Sequence, residues 1–140
     1  MRFVIGADEE RPVVQKLAAF LDRKGNEARV LRVSAWAVVA MEVARDVAEG
    51  RADQGIVCCW TGTGACMAAN KVKGIRAALC VDAQTAAGAR KWNDANVLAL
   101  SLRLLSEPIA EEILEAWLTT AYDGTEGESL ARMAAGDAAH

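Results

Sequence analysis

Short apolar runs alternate with amphipathic segments from the second residue to about residue 120. Phe3-Val4-Ile5 has the unbroken apolar pattern of a strand covered on both faces, and it ends in Gly6-Ala7-Asp8. Pro12 suits the first turn of a helix that carries Leu17, Phe20 and Leu21 on its apolar side and stops at Gly25. Ala28-Arg29-Val30-Leu31 reads as a second strand. Val39, Val43 and Val47, each four residues apart, predict a helix from about Trp36 to Ala48, with Gly50 beyond its end. The third strand is Gly55-Ile56-Val57-Cys58-Cys59 and the fourth Ile75-Arg76-Ala77-Ala78-Leu79. Between them, Thr61-Gly62-Thr63-Gly64 leads into a helix from about Ala65 to Asn70. Asp82 can cap a further helix running through Arg90, and Val97-Leu98-Ala99-Leu100 is a fifth strand. Ser106-Glu107-Pro108 opens a last helix with Ile109, Ile113 and Trp117 on one face.

Strands joined by helical crossovers imply an α/β domain: a doubly wound, Rossmann-like sheet of five parallel strands between two helical layers, three-layer α/β/α. That domain is predicted over residues 1–121. Residues 122–140 are mostly small or polar and read as a C-terminal arm or flexible tail. Ligands of such folds bind outside the carboxyl ends of the strands. The site is therefore expected at Gly6-Ala7-Asp8-Glu9, at Cys59-Trp60-Thr61-Gly62-Thr63-Gly64, and after Leu79.

Composition narrows the chemistry. The chain has 140 residues, a formal net charge of −3 and four cysteines, and its one histidine is His140. Charges recur too often for a membrane span of roughly 20 apolar residues. The start, Met1-Arg2-Phe3-Val4-Ile5-Gly6, lacks the layout of a signal peptide. A mildly acidic chain without a basic stripe is poorly suited to nucleic acid. Cys58, Cys59, Cys66 and Cys80 form no Cys-x-x-Cys pair, which fits free thiols in a cytoplasmic protein with no metal and no cofactor. A mechanism that needs an internal imidazole from this chain is excluded.

The segment after the third strand is the most informative. A strand ending in Cys59, followed by Thr-Gly-Thr-Gly and a helix start, forms a nest of backbone N–H groups that suits an anion or a developing oxyanion. A thiol beside such a nest has thiolate character and can serve as a general base. The same Gly-x-Gly pattern also suits a plain tight corner, and Cys59 also suits a strand-end core residue, one of an adjacent pair that face opposite ways. The run lacks the Gly-Lys-Ser/Thr of a phosphate loop and the full Gly-x-Gly-x-x-Gly of a dinucleotide site.

The runs Cys59-Trp60-Thr61-Gly62-Thr63-Gly64, Ala68-Ala69-Asn70-Lys71-Val72-Lys73-Gly74-Ile75-Arg76-Ala77-Ala78-Leu79-Cys80 and Asn93-Asp94-Ala95-Asn96-Val97-Leu98-Ala99-Leu100, with Arg103 and the Gly6-x-Asp8 of the first strand, closely resemble the ribose-5-phosphate isomerase B / galactose-6-phosphate isomerase family. The resemblance covers about residues 2 to 122. It implies a metal-independent aldose–ketose isomerase that acts through a cis-enediolate on a sugar or sugar phosphate. By the same resemblance, Cys59 is the proton-abstracting base, and Thr61 with the loop amides of Gly62, Thr63 and Gly64 holds the oxyanion. Asp8 and Asn93 contact sugar hydroxyls, and Arg103 belongs to the phosphate-binding pattern. The family's sites lie at a homodimer interface and are shared between subunits, and a tetramer is open.

Four departures from the family pattern shift the expectation. Trp92 and Glu9 stand where the family usually carries histidine, and Trp60 replaces a glycine beside the nest. The arginines expected after the tyrosine-glycine pair are absent: Tyr122-Asp123-Gly124 runs into Thr125-Glu126-Gly127-Glu128, and Arg132 is out of step. Glutamates repel a phosphate dianion, and lost arginines remove charge-assisted bonds. The substrate is therefore expected to differ from standard ribose 5-phosphate, with Trp60 and Trp92 either stacking on a sugar face or filling interface space. Asp8 or Glu9 takes over ring opening if burial or a neighbouring carboxylate raises its pKa. The competing reading is a non-catalytic sugar-binding relative, or one subunit of a hetero-oligomeric isomerase.

Overall fold

A computed structural model describes residues 1–138, so the inertness expected of His140 lies outside the described residues. Five parallel strands form one sheet: β1 (Arg2–Ala7), β2 (Glu27–Val30), β3 (Gln54–Cys59), β4 (Ala77–Leu79) and β5 (Val97–Ser101), in the order β2-β1-β3-β5-β4. The helices are α1 (Pro12–Arg23), α2 (Trp36–Ala48), α3 (Thr63–Ala69), α4 (Ala83–Asn93), α5 (Glu107–Thr119) and α6 (Gly127–Asp137). The doubly wound α/β architecture read from the sequence is the one observed. Among the described residues no helix is long and apolar enough to cross a membrane.

Two cores lie on the two faces of the sheet. Ile5, Ile56, Cys58, Leu98 and Leu100 pack with Leu17, Leu21, Ile113 and Trp117 on the side of α1, α4 and α5. Val4, Val57, Cys59, Val97 and Ala99 pack with Ala40, Val43, Ala65 and Ala69 on the side of α2 and α3. Cys58 and Cys59 do face opposite ways, but both sides are covered, so both are buried. The sequence signals for helix ends act as expected: Asp82 accepts from the Thr85 N–H and Ser106 from the Ile109 N–H, while Gly25 takes φ 85° after α1.

Three details differ from the sequence expectation. β4 begins at Ala77, because Ile75 turns into the core and Arg76 is bound to Asp94 and Asn96. At this edge strand the Asn70 amide pairs with both the N–H (2.8 Å) and the carbonyl (3.0 Å) of Ala77. α3 starts at Thr63 rather than Ala65, since Gly62 already supplies its N-cap. Within 122–140, residues Gly127–Asp137 are helical; α6 has no buried residue, and Asp137 accepts a 2.9 Å bond from the Gly74 N–H.

Two buried polar side chains away from the carboxyl ends of the strands are paired. Trp117 donates through Nε1 to the buried Gln54 Oε1 at 2.7 Å, tying α5 to the start of β3. Asp46 on α2 receives Arg29 at 2.6 Å and Arg51 at 2.8 Å. Burial acts to raise the Asp46 pKa, but the hydrogen bonds from Arg29 and Arg51 outweigh it and hold the carboxyl below its ordinary value. Its ionised form therefore stabilises the fold above the ordinary carboxylate pKa, and the contribution fades as pH falls through the depressed folded value. Asp46→Ala should cost about 1–2 kcal/mol in urea unfolding at pH 7. The gap to the wild type should narrow below about pH 4; a gap that widens there would refute the assignment.

Candidate active site

The strand order reverses direction between β1 and β3, and open α/β sheets form a crevice at such a switch point. The register pairs Ala7 with Cys58, so Asp8 and Cys59 leave adjacent strands side by side. Strand spacing puts their backbones about 5 Å apart. The Asp8 N–H bonds the Cys58 carbonyl at 3.2 Å, continuing the ladder one step past β1. β5 closes the other flank: the Leu102 N–H bonds the Cys59 carbonyl, and the Arg103 N–H and Ser101 Oγ both bond the Trp60 carbonyl, each at 2.9 Å.

After Cys59 the chain must turn sharply into α3. Gly62 does this at φ 77°, where a Cβ would lie 2.6 Å from Leu79 Cδ1 and 2.9 Å from the Leu100 carbonyl carbon. The first helical bond runs from the Cys66 N–H to the Gly62 carbonyl, so the N–H groups of residues 63–65 have no acceptor within α3. Thr61 and Thr63 share a hydroxyl–hydroxyl bond of 2.7 Å on the exposed side of the turn. The indole of Trp36, at the start of α2, lies on Gly64, with ring atoms 3.0 Å from where a Cβ would stand. Sequence reasoning did not single out Trp36. Its signal was an apolar ring off the Val39-Val43-Val47 stripe, and it is about half exposed beside the turn.

The two adjacent carboxylates have separate surroundings. Asp8 Oδ1 is buried with no hydrogen-bond partner among the described residues. Burial, reinforced by the charge of Glu9, raises the Asp8 pKa above its ordinary value. Glu9 instead faces outward and pairs with Arg11 at 3.2 Å, and the Arg11 guanidinium lies 5.2 Å from the centre of the Trp60 ring. The thiols are separated as well. Burial pushes Cys58 up to about 12 and Cys80 up to about 12, and it also raises Cys66. Cys59 is the thiol that stands next to the turn.

Trp92 and Asn93 lie elsewhere in the same chain. They end α4, and the next residue, Asp94, is held by Arg76 and Arg90 beside the start of β4. Val97 pairs with Gly55, four residues before Cys59 along β3. That separates the two regions by about 13 Å along the strand. The Trp92 ring packs on Gly88 and is about half exposed. A groove of about 1330 Å³ runs between α6 and the turn before β4, and it includes Asn93 but not Cys59. Among the described residues no group of three or more His, Cys, Asp or Glu is placed to hold a metal ion.

The doubly wound sheet thus brings a thiol, an orphaned carboxyl group and a run of free N–H groups together at its switch point, the place where folds of this class hold small ligands. The model of the Ribose/Galactose Isomerase family matches residues 4–135, and the chain belongs to that family. It is 45% identical over 86 residues to the D-erythrulose-4-phosphate isomerase of Pectobacterium atrosepticum, an alignment covering 61% of this chain and 57% of that one. Its fold matches the ribose-5-phosphate isomerase B of Clostridium thermocellum at a TM-score of 0.94 and 32% identity, over 99% of both chains. The Mycoplasma genitalium ribose-5-phosphate isomerase B with bound ribulose-5-phosphate matches at 0.93 and 30% identity, over 99% of this chain and 97% of that one.

Two substitutions test the geometry through stability alone. Gly62→Ala adds a strained positive φ to a clash with backbone, and should lower stability by at least about 2 kcal/mol. Asp8→Asn should stabilise the protein at pH 7 by up to about 1 kcal/mol, because it removes a carboxylate whose ionised form is disfavoured in the fold. That gain should vanish below the ordinary carboxylate pKa. Thermal unfolding across pH 3–8 measures both, and an Asp8→Asn protein less stable at pH 7 would contradict the second.

Proposed function

We propose that this chain is an aldose–ketose isomerase that acts on a sugar or sugar phosphate through a cis-enediolate, with Cys59 as the base. The observation that carries this reading is the Asp8–Cys59 pair beside the N–H groups that follow Gly62. In the forward direction the Cys59 thiolate takes the proton from C2 of the open-chain aldose. The C2–H electron pair forms the C1–C2 double bond, and the C1 carbonyl oxygen becomes the enediolate oxyanion. The free N–H groups of Thr63, Gly64 and Ala65 and the Thr61 hydroxyl are in place to hold that charge. Returning the proton from the Cys59 thiol to C1, with transfer of the C2 hydroxyl proton to the C1 oxyanion, completes the ketose and restores the thiolate.

Asp8, rather than Glu9, is the acid that opens the ring. Burial and the charge of Glu9 raise its pKa, which makes it a better proton donor than an ordinary carboxyl group, and its partnerless oxygen is open to the ring oxygen. Glu9 is engaged with Arg11. Four free cysteines fit a reducing, cytoplasmic setting. The substrate differs from standard ribose 5-phosphate, because Glu9 and Trp92 stand where a phosphate-binding, ring-opening site of this family carries histidines.

The active unit is a homodimer with shared sites. Trp92 and Asn93 are too far from Cys59 of their own chain to meet its substrate, and both are exposed for a second copy to use. Trp36, Trp60 and Trp92 are each about half exposed in the single chain, which suits surfaces covered by sugar or by a partner.

Solvent-deuterium exchange into C2 of candidate aldoses tests the chemistry. Cys59→Ala should abolish exchange by at least about a hundredfold while keeping the wild-type circular dichroism. Asp8→Asn should slow turnover of cyclic sugars by about a hundredfold, yet spare exchange into glyceraldehyde, which cannot close to a furanose. Mixing inactive Cys59→Ala and Asn93→Ala subunits should restore part of the activity. Full activity of Cys59→Ala would refute the base assignment, and failure of complementation would refute shared sites.

A further inference from the structure

Arg11 carries a second inference, which rests on the isomerase reading and concerns the far end of its substrate. The residue is the N-cap of α1, directly before Pro12, and has contacts on two sides. Its Nη2 pairs with Glu9 Oε1 at 3.2 Å, and its guanidinium carbon lies over the Trp60 ring, 5.2 Å from the centre. Glu9 and Trp60 each follow directly on a member of the Asp8–Cys59 pair, so the three side chains form a shelf along one rim of the crevice. About two-fifths of the Arg11 and Glu9 side chains and about half of Trp60 remain exposed, which leaves the shelf open to a ligand.

The shelf has one positive and one negative charge in contact over an aromatic floor. A phosphate dianion placed on Arg11 would come within reach of the Glu9 carboxylate, so the attraction of one is offset by the repulsion of the other. A hydroxyl group has no such conflict, because it can donate to Glu9 and accept from Arg11. Its C–H edges can lie on the part of the indole that Arg11 leaves open. Arg103 is tied to this rim through its backbone N–H, which bonds the Trp60 carbonyl, and it supplies a single guanidinium rather than a cluster.

We propose that Glu9, Arg11 and Trp60 form a specificity-determining subsite that takes an uncharged, hydroxyl-bearing sugar terminus in preference to a phosphorylated one. Arg11 binds that terminus, and Glu9 both positions Arg11 and cancels its charge toward anions.

Ribitol and ribitol 5-phosphate, which cannot isomerise, probe the subsite by calorimetry on the full chain without any turnover. The wild type should bind ribitol at least as tightly as its 5-phosphate. Glu9→Gln, which keeps the shape and frees the cation, should shift the preference toward the phosphate by about tenfold. Arg11→Ala should shift it about as far the other way, and Arg11→Lys should restore part of the loss. A merely structural role would change both affinities together and leave their ratio fixed. A wild-type preference for the phosphate above tenfold, a ratio unmoved by Glu9→Gln, or binding of neither probe would overturn the proposal. Loss of C2 exchange with every aldose in the unsubstituted protein would instead overturn the isomerase reading.

Discussion

The end of β3 is the constraint on which the rest of the site depends. The strand is buried along its whole length, so its backbone is fixed by β1 on one side and β5 on the other. At Cys59 it must leave the sheet within a space that Leu79 and the Leu100 carbonyl already bound. Only a residue without a Cβ, at positive φ, passes there. That requirement places the free N–H groups of α3 beside the thiol and leaves Trp60 on the rim. The β5 side holds the arrangement with three hydrogen bonds to the Cys59 and Trp60 carbonyls.

The electrostatics follow from the same geometry. Asp8 and Cys59 come together because two strands of one sheet end in register. Sheet pairing sets their separation, while flexible side chains set little of it. Asp8 is then partly enclosed, with an oxygen that no described residue satisfies, a costly state that raises its pKa. One residue further on, Glu9 escapes that cost by turning to Arg11. Two adjacent carboxylates thus differ in burial and in partner: Asp8 keeps an oxygen without one, while Glu9 is held by Arg11.

The family relationship covers nearly the whole fold, while the chain departs from the family pattern at the rim. Indoles occupy three places around the strand ends and the end of α4, and an ion pair stands where a basic group was expected. The core residues of both sheet faces need no adjustment for these changes, because all of them project from strand ends or helix ends into solvent.

Local sequence determined the elements and their order. Unbroken apolar runs mark strands covered on both sides, the valines at four-residue spacing mark α2, and Gly25, Asp82 and Ser106 mark helix ends because each supplies a specific backbone or capping need. The motif from Cys59 to Gly64 was legible for the same reason: the turn chemistry is written in consecutive residues. The helix over Gly127–Asp137 was not legible, since Leu130 and Met133 are its only large apolar residues and it buries no side chain. Only the tertiary structure decided which of two neighbouring carboxylates is enclosed, that Arg11 lies between Glu9 and Trp60, that Trp36 lies on Gly64, and that Trp92 and Asn93 end far from Cys59. Those facts depend on strand order, register and helix direction, which join residues distant in the chain and have no signature in local spacing.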